Sequence, residues 1–197
     1  TRSSVHPYSV AMCWAPCDRL STLAQRLGLG EPAAFWRQRA EDIRATIEAK
    51  AWREETRCIS ATLGGDDLDA SLIQLLDLRF LPPDDPRFRT TLEAVETGLR
   101  RGSHMLRYAT EDDFGLPHTA FNFCTFWLIE ALHATERTND ARALFEEMLS
   151  RRTPAGLLSE DIEPLTGELW GNYPQTYSLV GLINCAVLLS QPWSTFR

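Results

Sequence analysis

The sequence has no run of about 18 apolar residues, the length a helix needs to cross a bilayer, and its first residues lack the charged-then-apolar order of a signal peptide. Neither a membrane span nor export is encoded, and a cytoplasmic location is expected. Basic runs are missing too. The formal net charge is −7 and Lys and Arg form no cluster, which argues against nucleic acid or an anionic membrane as partner. His6, His104, His118 and His133 are scattered, with no Cys-x-x-Cys or His-x-x-x-His spacing, so no metal site is expected. No Gly-x-Ser-x-Gly elbow marks a nucleophile. Gly28-Leu29-Gly30 ends a helical pattern instead of following a strand, so it is no phosphate loop. No cofactor is implied.

What is present is the composition of an ordinary globular domain: 197 residues, 44% hydrophobic and 24% charged. The five cysteines, Cys13, Cys17, Cys58, Cys124 and Cys185, are odd in number and mostly lie in apolar runs. That suits reduced core thiols in a reducing compartment better than a disulfide framework. Gly102-Ser103-His104-Met105 spells a common vector remnant, but it runs straight into the patterned segment Leu106-Arg107-Tyr108 and is read as native.

Apolar positions recur at helical spacing from Tyr8 to Leu27 and again, after Glu31-Pro32, through about Trp52. A short strand is expected over Arg57 to Leu63. Asp66-Asp67-Leu68-Asp69 then caps a leucine-dense helix to about Leu78. Pro82-Pro83-Asp84-Asp85-Pro86 starts a more polar helix, Arg87 to Arg100. His104 to Ala109 fits another short strand, and residues 111–117, with Phe114 among them, form a loop. Thr119 to Thr135 is an aromatic-rich apolar helix, Asn139 to Arg151 an amphipathic one, and Gln175 to Leu189 an almost wholly apolar one.

The order is informative. A loop rich in acids and glycine leads into an apolar helix, and a short turn leads to an amphipathic partner, in a weak internal repeat. Apolar helices paired with amphipathic ones imply inner and outer layers. The expected class is therefore all-α, helical hairpins forming roughly the C-terminal half of an α/α toroid, with short strand or β-hairpin segments. Loops preceding the inner helices would then share one rim, bringing Asp66 and Asp67, Glu111, Asp112 and Asp113, and Glu160, Asp161 and Glu163 to one mouth. The plainer alternative is that Asp66 and Asp67 are helix caps and that the late acidic loop is surface decoration.

That late loop, Gly156 to Gln175, concentrates the chemistry. Three carboxylates lie within four residues, Glu160 to Glu163, followed by glycines, Trp170, Asn172 and Tyr173. Such a segment packs poorly and suits a sugar pocket, because a loop carboxylate near a helix N-terminus can stay ionised and accept a proton from water. Trp170 and Tyr173, outside any helix and beside acids, are the aromatics best placed to stack on a sugar.

The segment Leu158-Ser159-Glu160-Asp161-Ile162-Glu163-Pro164, with Thr166-Gly167-Glu168-Leu169-Trp170-Gly171-Asn172-Tyr173-Pro174-Gln175, resembles the C-terminal signature of glycoside hydrolase family 15, the glucoamylase-like enzymes that include bacterial trehalases. Collinear matches run along the chain: Met12-Cys13-Trp14 with Cys17-Asp18-Arg19, Asp66 to Leu72, Phe80 to Pro86, Arg107-Tyr108, and Cys124 to Trp127. The resemblance implies an (α/α)6 toroid and an inverting hydrolase acting on terminal α-glucosidic bonds of an oligosaccharide or disaccharide. It implies Glu160 as general base and Arg107 with Tyr108 as sugar ligands. Asp67, Asp112, Trp170 and Tyr173 complete the candidate substrate-binding set.

The family's general acid sits in a Trp-Glu segment ahead of the first helix, and no such segment is present. The sequence also lacks an initiating Met, and seven helices cannot close a twelve-helix toroid. Residues 1–197 are accordingly expected to be the C-terminal part of one catalytic domain, inactive alone, with the N-terminal half of the same protein or a self-association covering an open apolar edge. Three alternatives stand beside the glucoamylase-like reading: a trehalase, a non-catalytic helical module that binds sugar or a partner, and an epimerase or lyase on a related toroid.

Overall fold

The structure is a computed structural model that describes residues 4–113 and 115–190; Phe114 and the first three residues lie outside the described set. Among the described residues there are six α-helices and one six-residue 3-10 helix, and each strand is two residues long. The expected all-α class with short strand segments is what the chain adopts. It divides into two compact units, Thr1–Ala94 and Val95–Arg197.

In the first unit, α1 (Pro7–Arg26) and α2 (Gly30–Ala51) form a helical hairpin. Gly28 sits at φ +72 between them, a left-handed conformation that favours glycine. The contact face is built from small residues, Ala11, Ala15 and Ala24 on α1 with Ala33 and Ala40 on α2, and Ser21 Oγ donates to the Ala33 carbonyl at 3.1 Å. Leu20, Leu23 and Leu27, apolar positions at helical spacing, are 39%, 53% and 64% exposed. Trp14 meets Phe80 edge-on at 5.2 Å. Arg44 covers both rings and donates to the Phe80 carbonyl at 2.8 Å, so its aliphatic stem and guanidinium serve as packing surface.

The expected helix after Asp66 is only a 3-10 turn, Ala70–Leu75. Its cap is Asp69, whose carboxylate accepts from the Ser71 N–H at 2.7 Å and the Ser71 hydroxyl at 2.6 Å. Asp66 and Asp67 are therefore not caps. Strand β1 (Trp52–Arg53) pairs with β2 (Cys58–Ile59), shortening the expected strand and taking Trp52 out of α2. The division between the two units falls within α3 (Pro86–Leu99).

In the second unit, β3 (Arg100–Arg101) and β4 (His104–Met105) close a hairpin over Gly102-Ser103. His104 and Met105 are buried, at 2% and 0% exposed, so the second half of this tetrapeptide belongs to the core while Gly102 is exposed at the turn. Helix α4 (Asn122–Ala134) packs against α5 (Thr138–Ser150) and α6 (Thr176–Leu189). Its Phe126, Leu128, Ile129 and Leu132 are buried, each contributing about 1.5–3 kcal/mol. Gly181 lets α6 approach closely, since a Cβ there would lie 2.6 Å from the Phe126 ring. The other face of α6 is uncovered: Val180, Ile183 and Val187 are 46%, 57% and 59% exposed.

Cys58, Cys124 and Cys185 are buried, as their setting in apolar runs implied, whereas Cys13 is exposed and Cys17 half-buried; all five are free thiols. Burial pushes the Cys185 thiol well above its ordinary value. No helix among the described residues is long and apolar enough to cross a membrane.

Candidate active site

The late acidic loop is not irregular. It contains β6 (Asp161–Ile162) and β7 (Leu169–Trp170), and β6 is the middle strand of a three-stranded antiparallel sheet with β5 (Ala120–Phe121). Asp161 pairs with Phe121 on one side and with Trp170 on the other. The runs are too short, and too mixed in polarity, for strand periodicity to have exposed them.

Glu160 immediately precedes β6 and its backbone N–H donates to the Asn172 carbonyl at 2.9 Å. Asn172 returns two bonds to the carboxylate. Its backbone N–H reaches Glu160 Oε2 at 3.1 Å and its side-chain amide reaches the same oxygen at 2.8 Å. Among the described residues no donor bonds to Oε1. Gly171, at φ +77, makes this possible: a Cβ there would lie 3.0 Å from both Oε2 and Cβ of Glu160. A carboxylate anchored through one oxygen and open at the other is arranged to take a proton from a small molecule.

The neighbouring acids have different tasks. Asp161 accepts the Thr119 hydroxyl on Oδ2 at 2.6 Å, while its Oδ1 is buried without a partner. Desolvation raises its carboxyl above the ordinary range; the Thr119 bond opposes this and the nearby Glu160 charge adds to it. Glu163 caps the turn between β6 and β7 by accepting the N–H groups of Leu165 and Thr166. The Thr166 backbone bond is the main cause holding its carboxyl below the usual range. It is structural.

Of the other candidates, Tyr108 donates its phenol to Asp112, and Asp112 closes a tight turn with Gly115 through two backbone bonds. The Arg107 guanidinium lies over the Trp127 ring, 5.6 Å from its centre. Trp170 and Tyr173 are half exposed, at 52% and 50%, with the Tyr173 hydroxyl 3.1 Å from that of Thr153. Both rings thus offer apolar area that a sugar face can cover. Phe123 touches Phe121, Trp127 and Tyr177 in one aromatic array. Asp67 belongs to the first unit, is exposed, and accepts the Ala61 N–H on its carbonyl at 2.7 Å.

Sequence reasoning placed Gly171 and Asn172 in the pocket loop but missed their contacts with Glu160, and it missed Thr119 altogether. Their signals are faint: a Gly-Asn pair in a loop reads as a turn, and a lone Thr ahead of an apolar helix reads as a cap.

A braced carboxylate beside half-exposed aromatics, on a largely helical framework, is an arrangement suited to holding a sugar and moving a proton. The chain belongs to the Glycosyl hydrolases family 15, whose sequence profile matches residues 1–187. It is 40% identical over 91% of its length to a trehalase of Mycolicibacterium smegmatis. It is 34% identical over 97% of its length to a trehalase of Thermoplasma acidophilum. It spans only 27% and 33% of those relatives' own lengths. Among solved structures, a glycosidase in complex with glucose matches 94% of this chain and 52% of its own, with TM-score 0.79 and 20% identity. A bacterial glucoamylase complexed with acarbose covers 92% of this chain and 33% of its own, with TM-score 0.73 and 17% identity. The fold is thus of the glucoamylase-like (α/α)6 type.

Proposed function

We propose that the protein carrying this sequence is an inverting α-glucosidase that cleaves trehalose, with Glu160 as its general base. The observation that carries this reading is the geometry of Glu160: Oε2 is held twice by Asn172, and among the described residues no donor bonds to Oε1. That oxygen takes a proton from the water as it attacks the anomeric carbon, while an acid on the opposite side protonates the leaving oxygen. Inversion requires the two carboxyls to stand about 6.5–9.5 Å apart. The acid comes from outside these residues, and the first part of the same protein supplies it. The exposed stripe Val180, Ile183 and Val187 on α6 supports a covering partner, and the small fraction of the relatives' length spanned here favours that first part over self-association. This makes residues 1–197 the C-terminal part of one catalytic domain.

Trp170 and Tyr173 stack on the sugar, and Arg107, Tyr108 and Asp112 bind its hydroxyls. Trehalose is preferred to malto-oligosaccharides because the relatives at 40% and 34% identity bear the name trehalase. The free, mostly buried thiols favour a cytoplasmic setting. The test is a panel of trehalose, maltose and isomaltose on the full-length protein, with the product anomer followed by NMR, run beside Glu160→Gln. Release of β-glucose from trehalose and a loss of about 10²-fold or more in Glu160→Gln are expected. Near-parental turnover in that variant removes Glu160 from the role.

A further inference from the structure

Glu160 is held from beneath as well as from its own hairpin. Asn122, the first residue of α4, is completely buried. Its backbone N–H donates to the Glu160 carbonyl at 3.0 Å, and its Nδ2 donates to the Ser159 carbonyl at 2.9 Å. These two carbonyls belong to the peptide planes on either side of the Glu160 Cα. One residue therefore pins both rotations, φ and ψ, that aim the carboxylate. From α6, the completely buried Ser178 donates its hydroxyl to the same Ser159 carbonyl at 2.7 Å, and the Gln175 N–H bonds the Leu158 carbonyl at 3.0 Å.

A buried asparagine is often only a piece of core, but two observations argue otherwise. The first N–H of a helix has no acceptor within the helix, and here it is spent on Glu160. The side-chain Oδ1 of Asn122 is buried with no partner, an unfavourable state that an apolar residue of similar size would avoid. The amide is kept for what its Nδ2 donates.

We propose that Asn122 is a positioning residue for Glu160, fixing the backbone on both sides of it, with Ser178 as a second brace on the same peptide. This rests on Glu160 being the base, as proposed above. A misplacement of about 1 Å in a reacting group lowers rate by about 10²-fold, so the brace governs turnover and leaves sugar binding, made by other side chains, largely alone.

The experiment uses the full-length protein, with trehalose or maltose as probe, whichever the parent turns over faster. Asn122→Asp keeps the shape but removes the Nδ2 donor, Asn122→Ala removes the side chain, and Ser178→Ala removes only the second brace. Values of kcat and KM are measured beside thermal midpoints, with Glu160→Gln as reference. The expected result is a fall in kcat of tenfold or more for both Asn122 variants and of about threefold for Ser178→Ala, with KM within about threefold of parent. A kcat within twofold of parent in a folded Asn122 variant, or a KM that rises as far as kcat falls, overturns the proposal. If neither Asn122 variant folds, Ser178→Ala decides, and an unchanged kcat there overturns it. An active Glu160→Gln would sink the underlying function together with the brace. An inactive Glu160→Gln beside an active Asn122→Asp would sink the brace alone.

Discussion

Asn172 bonds Glu160 twice, through its backbone N–H at 3.1 Å and its side-chain amide at 2.8 Å, and both bonds fall on Oε2. The carboxylate thus presents its other oxygen in a fixed direction. Removing the amide alone, in Asn172→Ala, leaves the backbone donor and lets the group swing. A fall in kcat of about tenfold with little change in KM is expected from steady-state kinetics. Full turnover would show that the backbone bond suffices. Gly171→Ala places a Cβ against the same carboxylate at φ +77 and should lower kcat further.

His104 predicts a pH dependence. It is 2% exposed, and both ring nitrogens lack a partner. Desolvation, then the charge of Arg151, lowers its pKa against the smaller opposing pull of Glu147 and Glu163. A depressed imidazole stabilises the fold above its unfolded value of about 6.5, and that stability is lost as pH falls through the folded value. Urea unfolding followed from pH 7.5 downward should show less acid loss in His104→Leu than in the parent. Parallel curves would rule the residue out as the source.

Glu96 is the hub of an ion triad, 2.6 Å from Arg137 and 2.5 Å from Arg100, with its side chain only 16% exposed. Burial alone would raise its carboxyl, and the two guanidiniums outweigh this and hold it below the usual range. Both arginines are partly solvated, so the penalty for Glu96→Gln is moderate, about 1–2 kcal/mol at neutral pH. The difference should shrink as pH falls through the folded carboxyl's range. Chemical denaturation at two pH values measures both effects.

Gly181→Ala tests the approach of α6 to α4. Alanine gains about 1 kcal/mol of helix propensity, but its methyl would fall 2.6 Å from the buried Phe126 ring. Overpacking of this kind costs about 1–3 kcal/mol, so a lower thermal midpoint is expected. A rise would mean that the ring yields.

The long helices were legible because their periodicity and end signals agree. Pro86 begins α3 and Gly28 ends the first helical segment where expected. What failed was depth. Helical spacing does not fix burial: Leu23 and Phe35 fall at apolar positions of the first two helices yet are 53% and 55% exposed, while alanines of the same helices are buried. The acidic loop stood out as the candidate site, and Glu160 was singled out within it by resemblance. Its supports were not recognisable, because Asn122, Asn172 and Ser178 act through hydrogen bonds between segments separated in sequence. No local pattern encodes such bonds.

The register of β6 has a consequence for how the site can be altered. Asp161 and Ile162 are matched to partners on both sides, and slipping the strand by one residue would turn the acid set over to its opposite face. Insertions or deletions within 158–162 or 169–172 should therefore be lethal to turnover. Leu165, 95% exposed at the tip of the 163–168 turn, lies outside that pairing. Substitutions there should be tolerated as long as Glu163, which caps the turn and bonds Glu168 at its base, is kept.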